Sequence, residues 1–241
     1  MKALILAAGM ASRLRPLTDN TPKCLLKVGE KSILERTIEN IASNNISEII
    51  IVTGYLEDKI RIFLANRFPG LDIKFVNNPA YSSTNNIYSL WLARDYVTGD
   101  DMLMMDSDIV FDHRIIARLS ASGDTNSLAL KRHEVHDEEI KVKADNEMRV
   151  LEISKTVSPS EAIGESIGIE LFRKGSLPLL YRILEKIVVR ENRVNIFYEV
   201  AFEDFVKSGN EILAIDCTDF YCTEIDTEAD LVSAAADLAM K

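Results

Sequence analysis

Lys2-Ala-Leu-Ile-Leu-Ala-Ala-Gly-Met-Ala-Ser-Arg-Leu-Arg-Pro-Leu-Thr18 opens the chain and carries both its fold signal and its chemistry. Lys2–Ala7 reads as one buried β-strand, since a short continuous apolar run suits a strand covered on both faces. Counted from Ala3 to Ala8, the same run is too short for the core of a signal peptide. The strand leads directly into Ala7-Ala8-Gly9, where small side chains let the backbone approach a planar base or a phosphate. Exposed N–H groups after a strand make an anion-binding concavity. Arg13 and Arg15 follow, and Lys23 comes eight residues later in Thr21-Pro-Lys-Cys-Leu25. A nucleoside triphosphate carries roughly four charges, so two or three cations converging on this loop suit it and the charge that develops in phosphoryl transfer. Neither the G-x-x-x-x-G-K-[ST] order nor G-x-G-x-x-G occurs here, which argues against a P-loop ATPase and an ordinary dinucleotide dehydrogenase.

Outward from this stretch the pattern alternates. Further strands are predicted at Glu48–Thr53, Ile73–Asn77, Met102–Asp106 and Ser127–Lys131. Helices are predicted between them at Ile33–Asn44, Glu57–Phe68 and Asn85–Tyr96, the first opened by Ser32 with Glu35 in a capping-box spelling. The inner face of the third takes Leu90, Trp91 and Ala93. Strands alternating with helices of this length imply right-handed βαβ crossovers and a mainly parallel sheet covered on both sides. Past residue 130 close-set strands are expected at Ile140–Ala144, Val150–Ser154 and Ser166–Phe172, then helices near Leu177–Val189 and Phe197–Ser208. Ile212–Asp216 and Phe220–Ile225 read as a two-strand unit with Cys217 and Cys222 flanking its turn. Thr227–Met240 reads as a terminal helix with Thr227 and Asp230 as its capping box. No repeat or linker interrupts the chain, so residues 1–241 read as one domain, with 1–130 as its core and 131–241 as an extension.

Composition narrows the function. Of 241 residues 47% are hydrophobic and 27% charged, which gives a globular chain with a sizeable core. No apolar run approaches a membrane span. Twenty-eight Lys and Arg against 38 Asp and Glu leave a formal net charge of −10, unsuited to nucleic acid or anionic membranes as partners. Three cysteines without zinc-type spacing fit a reduced, cytoplasmic compartment.

Two acidic pairs stand at predicted strand ends. Asp106-Ser-Asp108 ends Met102–Asp106, and in an open α/β sheet ligands sit beyond the carboxyl ends of the strands. With alternating side chains, Asp106 and Asp108 are expected to point the same way. Glu224-Ile-Asp226 is the second pair, with capping of the last helix as the plainer role for Asp226. Carboxylates suit Mg²⁺, which takes one or two of them together with substrate phosphates. Asn77-Asn-Pro-Ala-Tyr-Ser-Ser-Thr-Asn-Asn-Ile-Tyr-Ser-Leu90 is distinctive too: Asn85 or Asn86 caps a helix, while an amide also suits a pyrimidine edge. A quaternary ammonium would want an aromatic cage, for which Tyr81, Tyr88, Phe197, Tyr198, Phe220 and Tyr221 are available. A primary ammonium would want carboxylates, which His136-Asp-Glu-Glu139 and Glu165 supply. His113, His133 and His136 show no metal-ligand spacing, and Lys131 and Arg132 are further cations near the acceptor side.

Leu6-Ala-Ala-Gly-Met-Ala-Ser-Arg-Leu-Arg-Pro-Leu-Thr18, with Pro22-Lys23, resembles the signature of the nucleotidyltransferases that make NDP-sugars and CDP-alcohols. Asn85-Asn-Ile-Tyr-Ser-Leu90 is similar to the segment in bacterial choline-phosphate and 2-aminoethylphosphonate cytidylyltransferases. The resemblance implies a Rossmann-like three-layer sandwich of glycosyltransferase-A type, with a mostly parallel mixed sheet and Mg²⁺ as cofactor. It implies transfer of CMP from CTP to a small phosphorylated amino alcohol or aminoalkylphosphonate, releasing pyrophosphate, in a monomer or homodimer. It also implies nucleotide binding for the core 1–130 and acceptor binding for the extension 131–241. Arg13, Lys23 and Asp108 are then the catalytic set. Leu6, Ala7, Ala8, Gly9, Asn85, Asn86 and Asp106 would meet the nucleotide. Asp108 and Asp226 would hold the metal with Asp106 and Glu224 in support, and Lys155, Glu165, Tyr88 and Tyr198 would meet the acceptor. Many members have a second glycine where this chain has Ala11, and sugar-nucleotide enzymes a proline where it has Thr156. The alternatives are a sugar-1-phosphate uridylyl- or thymidylyltransferase and a non-catalytic nucleotide-binding module.

Overall fold

Alternate residues of a strand face opposite sides of its sheet, and in Lys2–Ala7 both sides are apolar. Leu4 and Leu6 belong to one core layer and Ala3, Ile5 and Ala7 to the other. Such a strand has to sit in the middle of a sheet covered on both faces. In the computed structural model of the chain, which describes residues 1–240, it does. Lys2–Ala7 is parallel to Glu48–Thr53 on one side and to Met102–Asp106 on the other, and Glu48–Thr53 is parallel to Asp72–Asn77. Helices Ile33–Ser43, Glu57–Arg67 and Arg114–Ser120 cover one face. Helices Asn86–Leu92, Leu177–Glu185 and Glu199–Lys207 cover the other, giving the three layers expected. The connections run outward from the first strand in both directions, so a crevice opens between the carboxyl ends of Lys2–Ala7 and Met102–Asp106, the usual ligand position in such sheets.

The chain beyond residue 130 extends the same nine-stranded sheet. Gly164–Phe172 is antiparallel to Met102–Asp106 on one edge and to Asn126–Lys131 on the other, and its first residues pair with Lys141–Ala144, which carries Val150–Ser154. The expected unit of Ile212–Asp216 with Phe220–Ile225 does not form. Ile212–Asp216 joins Asn126–Lys131 in parallel, while Cys222–Glu224 pairs with Ile109–Phe111, a strand the sequence pattern does not separate from its neighbours. Phe220 instead closes a turn, its N–H donating to the Cys217 carbonyl (3.0 Å), and its ring packs on the guanidinium groups of Arg114 (4.6 Å) and Arg118 (3.9 Å). Cys217 and Cys222 are buried free thiols.

Helix ends follow local chemistry, with two departures. Thr227 and Asp230 form both halves of their capping box. Ser32 Oγ accepts from Glu35 N (3.1 Å), but the Glu35 carboxylate turns to Arg67 (2.8 Å), so only half of that box exists. Trp91 is only partly buried, beside Tyr88 and beneath Arg94 (4.1 Å), because the α-helix ends at Leu92 and tightens into a 3₁₀ turn. Among the described residues no helix is long and apolar enough to cross a membrane.

One glycine ties the fold to the crevice. Gly168 has φ +70°, and a Cβ there would stand 2.9 Å from Asp106 Oδ2 and 3.1 Å from Ile109 Cδ1. Gly168→Ala therefore combines left-handed backbone strain with displacement of Asp106. Its unfolding free energy in urea is expected to fall by roughly 2–4 kcal/mol, whereas Gly175→Ala, which meets open space, should lose much less.

Candidate active site

The crevice opens into a cavity of about 770 Å³ into which the N-terminal loop, the Asp106–Asp108 turn and the C-terminal Glu224–Asp226 segment all project. Three chain segments remote in sequence are drawn together there by charge. Lys23, the first residue of a 3₁₀ turn, places Nζ 2.7 Å from Asp108 Oδ2 and 2.8 Å from Asp226 Oδ1. Arg13, in the 3₁₀ turn Ser12–Leu14, places Nη2 2.6 Å from Asp226 Oδ2. Backbone pairing fixes the acidic segments to one another: Ile225 N donates to the Asp108 carbonyl (3.0 Å), just beyond the Ile109–Phe111/Cys222–Glu224 ladder. Asp226 does not cap the last helix with its side chain; Thr227 does, which leaves Asp226 free for the cations. Ala11 lies in the left-handed region (φ 46°, ψ 52°), which explains why glycine suits that position. Arg15 does not join the cluster. It is exposed and pairs with Asp19 (3.4 Å).

The electrostatics are strained toward a missing positive charge. Burial alone would lower the Lys23 pKa, but the charges and hydrogen bonds of Asp108 and Asp226 raise it above its ordinary value. Enclosure raises Asp226, yet Lys23 and Arg13 outweigh it and hold the carboxyl below the usual range. Glu224 receives less compensation, from the charge of Lys23 alone. Enclosure within the cleft, then the charges of Asp108 and Asp226, push it up to about 8 even though its side chain reaches the cavity mouth. Asp108 Oδ1 is buried with no hydrogen-bond partner. Oxygens of Asp108, Glu224 and Asp226 lie within 4.8 Å of one another. An all-carboxylate set with an orphaned buried oxygen is what a hard divalent cation takes, so these three residues fit one.

Asp106 and Asp108 do not act as a pair. The strand ends at Asp106, alternation ceases, and Asp106 Oδ2 instead accepts from Tyr198 Oη (2.9 Å). Burial, then the neighbouring charges of Asp108 and Glu199, raise Asp106 well above the ordinary carboxylate range. It lines the cavity but is not in the three-carboxylate set. Leu6, Ala8, Gly9, Asn85, Asn86, Lys155 and Glu165 also line the cavity. Ala7 does not; its side chain belongs to the core layer on the far face. Asn85 caps its helix by accepting from Asn86 N (2.8 Å), and Asn86 Oδ1 accepts from Tyr198 N (2.9 Å). These bonds fix the Oδ1 atom of each amide and leave the Nδ2 groups out of these two contacts. Lys155 lies 3.1 Å from Glu138 and 5.0 Å above the Phe197 ring.

Two expected acceptor residues lie elsewhere. Tyr88 packs into the core beside Trp91, and Tyr198 is wholly buried beneath the cavity, where it holds Asp106 and packs on Phe202. Both sit on helical turns whose orientation is set by packing. Phe220 and Tyr221 line a separate small depression. Glu199, His133 and Glu139 line the cavity without having been singled out as individual site residues. Glu199 follows Tyr198 at a helix start, where an acid is ordinary, so nothing local distinguishes it.

Glu199 is 6% exposed, its Oε2 has no hydrogen-bond partner, and burial pushes its pKa up to about 7. The unfolded chain ionises this group above about pH 4.5 while the native chain keeps the proton. Native stability is therefore lost as pH rises from there to about 7 and stays lower above it. Glu199→Gln removes that loss. Urea melts should show the variant gaining on the native chain by up to roughly 3 kcal/mol between pH 5 and 8.

Lys23→Met should behave differently with and without a divalent cation. Removing the ammonium leaves Asp108 and Asp226 facing each other, at a cost of roughly 2 kcal/mol in thermal melts without metal. Addition of Mn²⁺ should restore more stability to the variant than to the native chain, and Mn²⁺ titration followed by electron paramagnetic resonance should show tighter binding in the variant. Weaker Mn²⁺ binding in Lys23→Met would refute the competition between ammonium and cation.

The nucleotidyl transferase family model matches residues 2–154, including the glycine loop, Lys23 and Asp108. CTP:phosphoglutamine cytidylyltransferase of Campylobacter jejuni is 27% identical over 252 residues, covering 96% of this chain and 98% of that protein. CMP-5'-(3-aminopropyl)phosphonate synthase of Streptomyces rubellomurinus is 33% identical over 132 residues, covering 55% of this chain; the match spans only 21% of that longer protein. The solved CTP:phosphocholine cytidylyltransferase of Streptococcus pneumoniae shares the fold, with a TM-score of 0.82 at 24% identity over 98% of both chains. With a family match over more than half its length, the chain belongs to the nucleotidyl transferase family.

Proposed function

We propose that the protein is a Mg²⁺-dependent cytidylyltransferase that transfers CMP from CTP to a small acceptor carrying a phosphate or phosphonate at one end and an amine at the other. The observation that carries this is the convergence of Lys23 and Arg13 with Asp108 and Asp226 at one end of a single cavity. An acceptor oxygen forms a bond to the α-phosphorus of CTP while the bond from that phosphorus to the bridging oxygen of the β-phosphate breaks, and pyrophosphate leaves. Asp108 and Asp226, supported by Glu224, would hold the cation, which when bound neutralises charge on the reacting phosphates. Lys23 and Arg13 hold the triphosphate and stabilise the charge gathered on departing pyrophosphate. Lys155 positions the acceptor's phosphate or phosphonate.

The nucleotide lies along the backbone of Leu6, Ala8 and Gly9. A Cβ at Gly9 would meet nothing within 4 Å, so the loop there faces open space. The Nδ2 groups of Asn85 and Asn86 suit the O2 and N3 acceptors of cytosine. Tyr198 and Asp106 form the floor that keeps the Asp106–Asp108 turn in place. The names of the relatives, which include a cytidylyltransferase and an aminopropylphosphonate synthase, support this reading.

Pyrophosphate release tests it, with four nucleoside triphosphates crossed against phosphocholine, phosphoethanolamine, 2-aminoethylphosphonate and several sugar 1-phosphates. CTP with an amine-bearing acceptor is expected to be fastest; preference for UTP or dTTP with a sugar 1-phosphate would overturn the proposal. Lys23→Ala and Asp108→Asn should each lower kcat by at least about 100-fold while retaining a cooperative thermal transition.

A further inference from the structure

Along the wall of the cavity formed by Gly164–Phe172 and the loop after Asn126–Lys131, His133, Glu139 and Glu165 bring one donor atom each to within 4.8 Å of one another. His133 Nε2 stands 3.0 Å from Glu165 Oε2, and its Nδ1 stands 2.9 Å from the Glu134 carbonyl. A carbonyl only accepts, so Nδ1 carries the ring proton, and a neutral imidazole then turns a lone pair toward a carboxylate. Two acceptors this close require a proton or an incoming donor between them. Ion pairing around the two carboxylates is sparse as well. Among the described residues Glu139 has no ion-pair partner and Glu165 has only His133. The nearby Lys131 gives its ammonium to the Cys222 carbonyl (2.9 Å).

The loop is held for this arrangement. Lys141, 1% exposed, donates to the carbonyls of His136 (3.0 Å) and Asp137 (3.3 Å), and His136 N donates to Glu139 Oε2 (2.9 Å), which sets the Glu139 carboxylate. Of the aromatic rings that line the cavity, Phe197 lies under the Lys155 ammonium and Tyr81 packs beside Tyr55. A quaternary ammonium, which has no N–H and is held by aromatic faces, finds little here. A primary ammonium has three N–H donors for three acceptors.

We infer that His133, Glu139 and Glu165 form a clamp for a primary ammonium, selecting an acceptor with an unmethylated amine over a quaternary or an uncharged one. This rests on the proposed cytidylyl transfer and names the residues that select its acceptor. His133 accepts from one N–H and each carboxylate from another, while the acceptor's phosphate or phosphonate end extends toward Lys155. The three are positioning residues that act on the far end of the acceptor from the reacting atoms.

The test uses the full chain, with Glu139→Gln and Glu165→Gln, against 2-aminoethylphosphonate, n-propylphosphonate and phosphocholine. The ratio of kcat/KM for 2-aminoethylphosphonate to that for n-propylphosphonate should fall about tenfold or more in each variant, with the loss in KM rather than in kcat. Equal losses for both acceptors, or an unchanged ratio, would overturn the clamp. Calorimetric titration of 2-aminoethylphosphonate decides it separately from turnover, with Kd expected to rise by about the same factor. If CTP binds but no acceptor is turned over, the proposed function fails while this titration still judges the clamp. Tight Zn²⁺ or Mn²⁺ binding that is lost in Glu165→Gln, with acceptor binding unchanged, would make the triad a metal site and refute the inference.

Discussion

The ammonium of Lys23 between Asp108 and Asp226 is the interaction on which the rest of the site depends. It joins the loop after the first strand, the turn after the fourth and the segment before the last helix, and Arg13 doubles the link to Asp226. Two carboxylates brought this close in a cleft cannot both stay ionised without a cation. The molecule supplies one from its own N-terminal loop. The same ammonium and guanidinium are the groups a triphosphate would recruit, and the same carboxylates are those a divalent cation would recruit. On the proposed function, arrival of metal and nucleotide is an exchange of partners: carboxylates from ammonium to metal, cations from carboxylate to phosphate. In each state every one of these groups keeps an opposite charge beside it.

Beneath that exchange lies a layer of acids, Asp106, Glu170 and Glu199, with no ion-pair partner among the described residues. Asp106 and Glu170 are raised well above the ordinary carboxylate range, burial being the first cause in each, and Glu199 to about 7. Tyr198 donates to Asp106 and Ser166 Oγ to Glu170 Oε1 (3.3 Å), while one oxygen each of Glu170 and Glu199 stays without a partner. Burial disfavours a full negative charge on each of these acids, which on the proposed function spares the substrate phosphates like charges beneath them.

Much of this was legible in the sequence. A buried parallel strand is a continuous apolar run, and a glycine loop with flanking cations has a local spelling, so Lys2–Ala7, Gly9, Arg13 and Lys23 could be read directly. The place at a strand end marked the pair Asp106 and Asp108, and the family resemblance singled out Asp108. Asp226 was harder, because its position depends on pairing Cys222–Glu224 with Ile109–Phe111 across more than a hundred residues of chain. No local pattern records that ladder, which is also why Ile212–Asp216 and Phe220–Ile225 were wrongly joined. Tyr88 and Tyr198 show a second limit. Aromatic side chains near a site are equally good core, and the choice is made by which face of a helical turn meets the sheet. Glu199 and His133 carry no local signal, because acids and histidines in first helical turns and loops are ordinary, and Glu139 is legible only as one of the block His136–Glu139; the cavity shows which of them line it.

The most direct test of the exchange is a crystal structure of the protein with Mn²⁺ and a non-hydrolysable CTP analogue, with the metal located by anomalous scattering. The account predicts a manganese peak between Asp108 and Asp226, with Lys23 and Arg13 withdrawn from those carboxylates onto the phosphates. Nucleotide bound elsewhere, or Lys23 still bridging the two carboxylates beside a bound triphosphate, would contradict it.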